Sequence, residues 1–146
     1  MRRVATLVST ATVMMFTVGL LAQAKTNFAG KWIREAPAAP AAGAAGGGGF
    51  GAENTITQDA TTLTVEYTQG QNPVKLVFKL DGSESKNAGR GGEVVSTAKW
   101  DGSKLVITTK TENGDQVQTW SMEGGNLTIE RTGGRGAGKT TYKKST

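Results

Sequence analysis

The sequence predicts an all-β fold: one antiparallel up-and-down meander of about eight to nine short strands, closed on itself as a barrel. Three observations predict it. From Glu53 onward, apolar and polar residues alternate with period two, in stretches of six to nine residues. Each stretch ends in a Gly, Asn or Asp turn; Asp101-Gly102 and Asn113-Gly114 are the sharpest, because tight hairpin turns need positive φ. No window carries the apolar stripe of a long amphipathic helix.

The elements follow in order. Arg2 and Arg3 form a basic start, the run from Val4 to Leu21 carries no charge, and Ala22-Gln23-Ala24 supplies the small-x-small pattern that a signal peptidase accepts. Residues 1–24 are therefore expected to be a signal peptide cut between Ala24 and Lys25; the alternative is an uncleaved anchor. No Cys follows the run, which excludes lipoprotein anchoring. The mature chain, 25–146, is expected to be one domain in the periplasm or outside the cell, and a monomer. Loss of Arg2 and Arg3 leaves 15 basic against 12 acidic residues, a net charge of +3 that is weak support for nucleic acid.

A first strand is predicted over Ala29–Glu35. Residues 36–51 then read as a flexible loop: Pro37 and Pro40 stop the strand, and the Ala- and Gly-rich remainder has one large side chain, Phe50, to offset its ordering entropy. Further strands are predicted over Glu53–Asp59, Thr62–Thr68, Pro73–Leu80, Glu93–Trp100, Lys104–Lys110, Gln116–Met122, Asn126–Arg131 and Lys139–Lys144. Alternation puts Leu63, Val65 and Tyr67 on one face, and likewise Val74, Leu76, Phe78 and Leu80. Val94, Ser96, Ala98 and Trp100 face together, as do Leu105 with Ile107, Trp120 with Met122, and Leu127 with Ile129. Strands with one wet and one apolar face close as a barrel or a sandwich.

Composition excludes much chemistry. The 146 residues include no His and no Cys, so there is no Ser-His-Asp triad, thiolate nucleophile, disulfide or ordinary zinc site. The acids fall in turns, such as Asp59, Asp81, Asp101 and Asp115, or at outward strand positions, such as Glu66 and Glu130, not as a facing pair. No enzyme activity, metal or cofactor is expected. Gly133 to Thr140 matches the phosphate-loop pattern G-x-x-x-x-G-K-[ST], but six strand-like residues follow it where a helix must start. The single arginines in Gly89-Arg90-Gly91 and Gly134-Arg135-Gly136 lack the repeats and aromatics of RNA-binding arms. The strands are too short, and their outer faces too rich in Thr, Lys and Glu, for an outer-membrane barrel, so no membrane span is expected after cleavage.

Phe28-Ala29-Gly30-Lys31-Trp32 resembles the N-terminal F-x-G-x-W signature of calycins, the lipocalins and fatty-acid-binding proteins, and the C-terminal meander from Trp100 to Lys144 is similar to the fatty-acid-binding branch. The resemblance extends to small exported bacterial proteins of lipocalin-like type. It implies that Gly30 lets the first strand bend and that Trp32 plugs the closed end. It also implies a small apolar or amphipathic ligand. That branch carries R-x-Y near its C-terminus to hold a carboxylate; Tyr142 matches the Tyr, Thr140 stands at the Arg position, and Arg131 one strand earlier is the substitute. Lid helices are replaced by the Ala/Gly loop, and the lipocalin T-D-x-x-Y motif is absent. The candidate ligand-binding residues are Arg131, Tyr142, Trp120 and Phe78. Asn54, Gln58, Ser96, Gln118 and Thr140 are further inward polar positions. The alternative is a filled core in which these aromatics only pack and an outer face binds a partner.

Overall fold

A computed structural model describes residues 24–36, 50–89, 91–134 and 136–146. All but Ala24 of the predicted leader lies outside the described residues, as does the 36–51 loop except Ala36, Phe50 and Gly51. Arg90 and Arg135, the centres of the two Arg-Gly tracts, lie outside them as well.

The described chain forms ten antiparallel strands: β1 Gly30–Arg34, β2 Glu53–Gln58, β3 Thr62–Gln69, β4 Asn72–Lys79, β5 Glu84–Gly89, β6 Gly92–Asp101, β7 Lys104–Thr111, β8 Gly114–Glu123, β9 Asn126–Gly133 and β10 Gly138–Lys144. They follow one another as a meander whose strand order runs from β4 back to β1, on through β10 and down to β5; the β1–β10 pair joins the first strand to the last. The tightest turns are glycine-dependent. Gly133 has φ of +80°, and a Cβ there would collide with the Asp115 carbonyl oxygen across the β8–β9 pair.

β5 is the strand the sequence does not announce, so ten strands stand where eight to nine are expected. Its buried positions are Ser85 and Asn87, small polar residues where an inward strand face ordinarily carries apolar ones. Their side chains have a structural use. β4 and β5 are the two ends of the strand order and share no backbone ladder. Instead, the Val77 N–H donates to Asn87 Oδ1 at 2.7 Å, and Asn87 Nδ2 donates to the Val77 carbonyl at 2.9 Å. The Lys79 N–H donates to Ser85 Oγ at 2.8 Å. A side-chain amide offers a donor and an acceptor side by side, as a peptide does, so Asn87 stands in for a strand residue and completes the barrel wall.

The alternation assigned from sequence is the observed one. Leu63, Val65, Phe78, Ala98, Leu105, Ile107, Trp120, Leu127 and Ile129 are all buried in one core. One end of the barrel is closed by the segment before β1. Phe28 stacks parallel to Trp100, with ring centroids 6.1 Å apart, and meets Trp120 edge-on at 5.8 Å. Gln58 fastens this segment from β2, accepting from the Phe28 N–H and donating to the Thr26 carbonyl, both at 2.9 Å. Trp32 is buried behind it, its indole N–H donating to the Phe28 carbonyl at 2.9 Å while Lys144 Nζ lies 5.9 Å from its ring centroid. Gly30, at φ +145°, has Lys144 and Trp32 packed where a side chain would stand.

Candidate functional site

The opposite end is open. A cavity of ≈ 1030 Å³ enters there, between β1, the Phe50–Ala52 segment, the β3–β4 hairpin, the end of β5 and the inward faces of β8 and β9. Its polar lining includes Arg34, Tyr67, Gln116, Gln118 and Arg131, with Lys75 at its edge, and its apolar lining includes Phe50 and Val74. A second concavity, ≈ 610 Å³, runs over the outer face of β1–β4 past Lys31, Ile33, Glu66 and Lys75. The last two are already paired with each other at 3.0 Å.

The charge distribution separates inside from outside. The ion pairs among the described residues join exposed side chains, Lys75–Glu66, Lys86–Glu93, Lys139 with Glu123 and Glu130, and Lys143–Glu35. Neither Arg34 nor Arg131 enters one of them. Arg131 is half-buried, and its Nε is enclosed without a hydrogen-bond partner. Burial lowers its pKa below the ordinary guanidinium value, while Tyr142 and Tyr67 pull it back up. Tyr142 is shifted upward by the same desolvation, opposed by the nearby charges of Arg34 and Arg131. Arginine stays charged regardless, so the cavity presents a positive group with no carboxylate partner among the described residues.

The four predicted ligand residues divide in two. Arg131 on β9 lines the cavity, whereas Tyr142 on β10 and Trp120 on β8 are fully buried, touch Phe50 and do not reach the cavity wall. Tyr142 Oη donates to the Phe50 carbonyl at 3.0 Å. The Phe50 ring lies 5.3 Å from Trp120 and 5.7 Å from Tyr67, centroid to centroid. Phe50 is only 5 % exposed. Phe78 stands elsewhere, buried opposite Leu63 in the β3–β4 pair and not on the cavity wall.

Among the inward polar positions, Gln118 accepts from the Trp120 indole N–H at 3.2 Å, and Ser96 shares a 2.8 Å hydrogen bond with Thr109. Asn54, 4 % exposed, leaves both polar atoms of its amide without a partner. Sequence reasoning missed Arg34, Tyr67, Gln116 and Phe50 as parts of this site. The available signal for Phe50 was its solitude, one large apolar side chain in a segment of small ones. Among the described residues no group of three metal-ligating acids exists.

No family model matches the sequence, and no curated protein matches it. Solved structures do match the fold. A structure titled REP1-NXSQ fatty acid transporter is 19 % identical, with a TM-score of 0.63 over 81 % of this chain and 96 % of that one. Human cRBP IV is 18 % identical, with a TM-score of 0.63 over 82 % and 99 %. A mutant of the fluorescent protein UnaG is 22 % identical, with a TM-score of 0.61 over 82 % and 96 %. The fold is the one these structures share, a calycin-like barrel. Within it, the F-x-G-x-W segment of this chain lies at the closed end, and Arg131, Tyr142 and Phe50 lie toward the open one.

Proposed function

We propose that this chain is an exported, monomeric calycin barrel that binds a small amphipathic molecule and performs no catalysis. One observation carries the ligand: Arg131, half-buried and with an enclosed, unpartnered Nε, faces a cavity that offers it no carboxylate among the described residues. Enclosing a guanidinium N–H without an acceptor is costly to a fold, and a bound anionic or polar head would offset that cost. The apolar body would be desolvated against the cavity wall at Tyr67, Pro73 and Val74, at roughly 25 cal/mol per Å² of apolar surface. Proteins of the same fold include ones titled a fatty acid transporter and a cRBP, which supports a small apolar-bodied ligand. Export is supported by the 1–24 leader pattern, and the intact mass after expression in a secreting host would test it by locating Lys25 as the new N-terminus.

The binding test is native mass spectrometry of the purified protein for a retained small molecule, followed by titration with 1-anilinonaphthalene-8-sulfonate. Saturable binding is expected, weakened about tenfold or more by Arg131→Gln, since hydrogen bonds to charged groups carry about 1.5–3 kcal/mol. A second reading has its own observation. Phe50 fills part of the interior and satisfies Tyr142, as a purely structural or partner-binding barrel would require. Absence of any retained molecule and of saturable binding would favour it.

A further inference from the structure

Phe50 does more than fill space. Its carbonyl oxygen, Cα, Cβ and ring form a 3-phenylpropanoyl unit, held at both ends. The ring lies between Trp120 and Tyr67, and the oxygen accepts from the Tyr142 hydroxyl. An acyl oxygen and an aryl ring at this spacing are therefore what the barrel interior next to the cavity already holds. The polar groups around the unit are not exhausted by it. Arg131, which lines the same cavity as Phe50, has an enclosed Nε with no partner. A peptide carbonyl is neutral and offers one oxygen, whereas a carboxylate at the same place brings a second oxygen and the charge that Arg131 lacks. Phe50 follows a segment rich in Ala and Gly, and Gly51 after it has φ of +31°. No regular strand holds Phe50 in place, since β2 begins at Glu53.

Granted the ligand-binding function proposed above, we infer that Phe50 is a built-in surrogate of the ligand, and that the cavity takes a small aryl-alkanoate anion that displaces it. The ring of the ligand replaces the Phe50 ring between Trp120 and Tyr67. One carboxylate oxygen accepts from Tyr142, and the other faces the Arg131 guanidinium. The surrogate lowers the apparent affinity in proportion to the time it occupies the site. A long flexible alkyl chain is the poorer fit, because it cannot use the two aromatic faces and loses more rotamer freedom on binding.

The test displaces bound 1-anilinonaphthalene-8-sulfonate with 3-phenylpropanoate and with nonanoate, two monoanions of equal carbon count. On the wild-type protein 3-phenylpropanoate is expected to compete at about tenfold lower concentration. On Phe50→Ala it is expected to bind about tenfold more tightly than on wild type, because the competitor is gone. Phe50→Leu, which keeps apolar bulk without the ring, guards against a misfolded Ala variant and is expected to fall between the two. Equal or better competition by nonanoate, or a folded Phe50→Ala or Phe50→Leu protein with no gain in affinity, overturns the inference. Arg131-dependent probe binding with no aryl preference overturns it while leaving the proposed function standing. No probe binding to wild type or to either Phe50 variant removes both.

Discussion

Tyr142 and Phe50, 92 residues apart in the chain, are joined by a buried 3.0 Å hydrogen bond from the phenol to the main-chain carbonyl. The bond ties the last strand to the end of the Ala/Gly-rich segment. Tyr142→Phe removes the donor and leaves the Phe50 carbonyl enclosed without a partner, which costs about 1–3 kcal/mol. Urea unfolding is expected to show a lower midpoint with an unchanged slope.

The same phenol sets a limit at high pH. Burial raises the Tyr142 pKa above the ordinary 10.0, because the neutral form is favoured inside. Its contribution to stability is fully present below the unfolded-state value and is lost as pH rises through the folded one, since the unfolded chain releases the proton first. The thermal midpoint is therefore expected to decline above about pH 10, with part of the slope removed in Tyr142→Phe. Absorbance at the phenolate band, followed in both proteins, gives the Tyr142 transition by difference.

At the β4–β5 seam, the wall depends on one side chain's amide. Asn87→Ala leaves the Val77 N–H and carbonyl unpaired and is expected to cost about 1–3 kcal/mol. Hydrogen exchange is the sharper readout. The Val77 amide is expected to lose protection first, with Lys79 following as Ser85 drifts from it, while the β7–β8 ladder exchanges as before. Uniform loss of protection would mean that the seam is not a separate unit.

Arg131 is expected to separate stability from function. Arg131→Met removes a half-buried cation whose Nε is unpartnered and keeps an unbranched apolar stem, so the fold is expected to gain about 1 kcal/mol while probe binding weakens. Calorimetry and the sulfonate titration on the same sample check both signs. A variant less stable than wild type would instead make Arg131 part of the structural framework.

Most of the strand pattern was legible in the sequence because it is local. Leu63, Val65 and Tyr67 share a face by the two-residue period of a strand, whatever the chain does elsewhere, and Asp101-Gly102 makes a tight turn on its own. Alternation likewise put Arg131, Gln118 and Asn54 on the inward face, and the F-x-G-x-W segment pointed to the barrel type. What the tertiary structure decided is non-local. β5 carries Ser85 and Asn87 inward, and their worth comes from the free edge of β4 that they meet, which no property of residues 84–89 announces. Phe50 sits in a segment whose composition predicts a flexible loop, and its burial depends on an aromatic slot built from β3 and β8. Partners so far apart in the chain leave no periodic trace, because the free energy that fixes them is gained only once the barrel has closed around them.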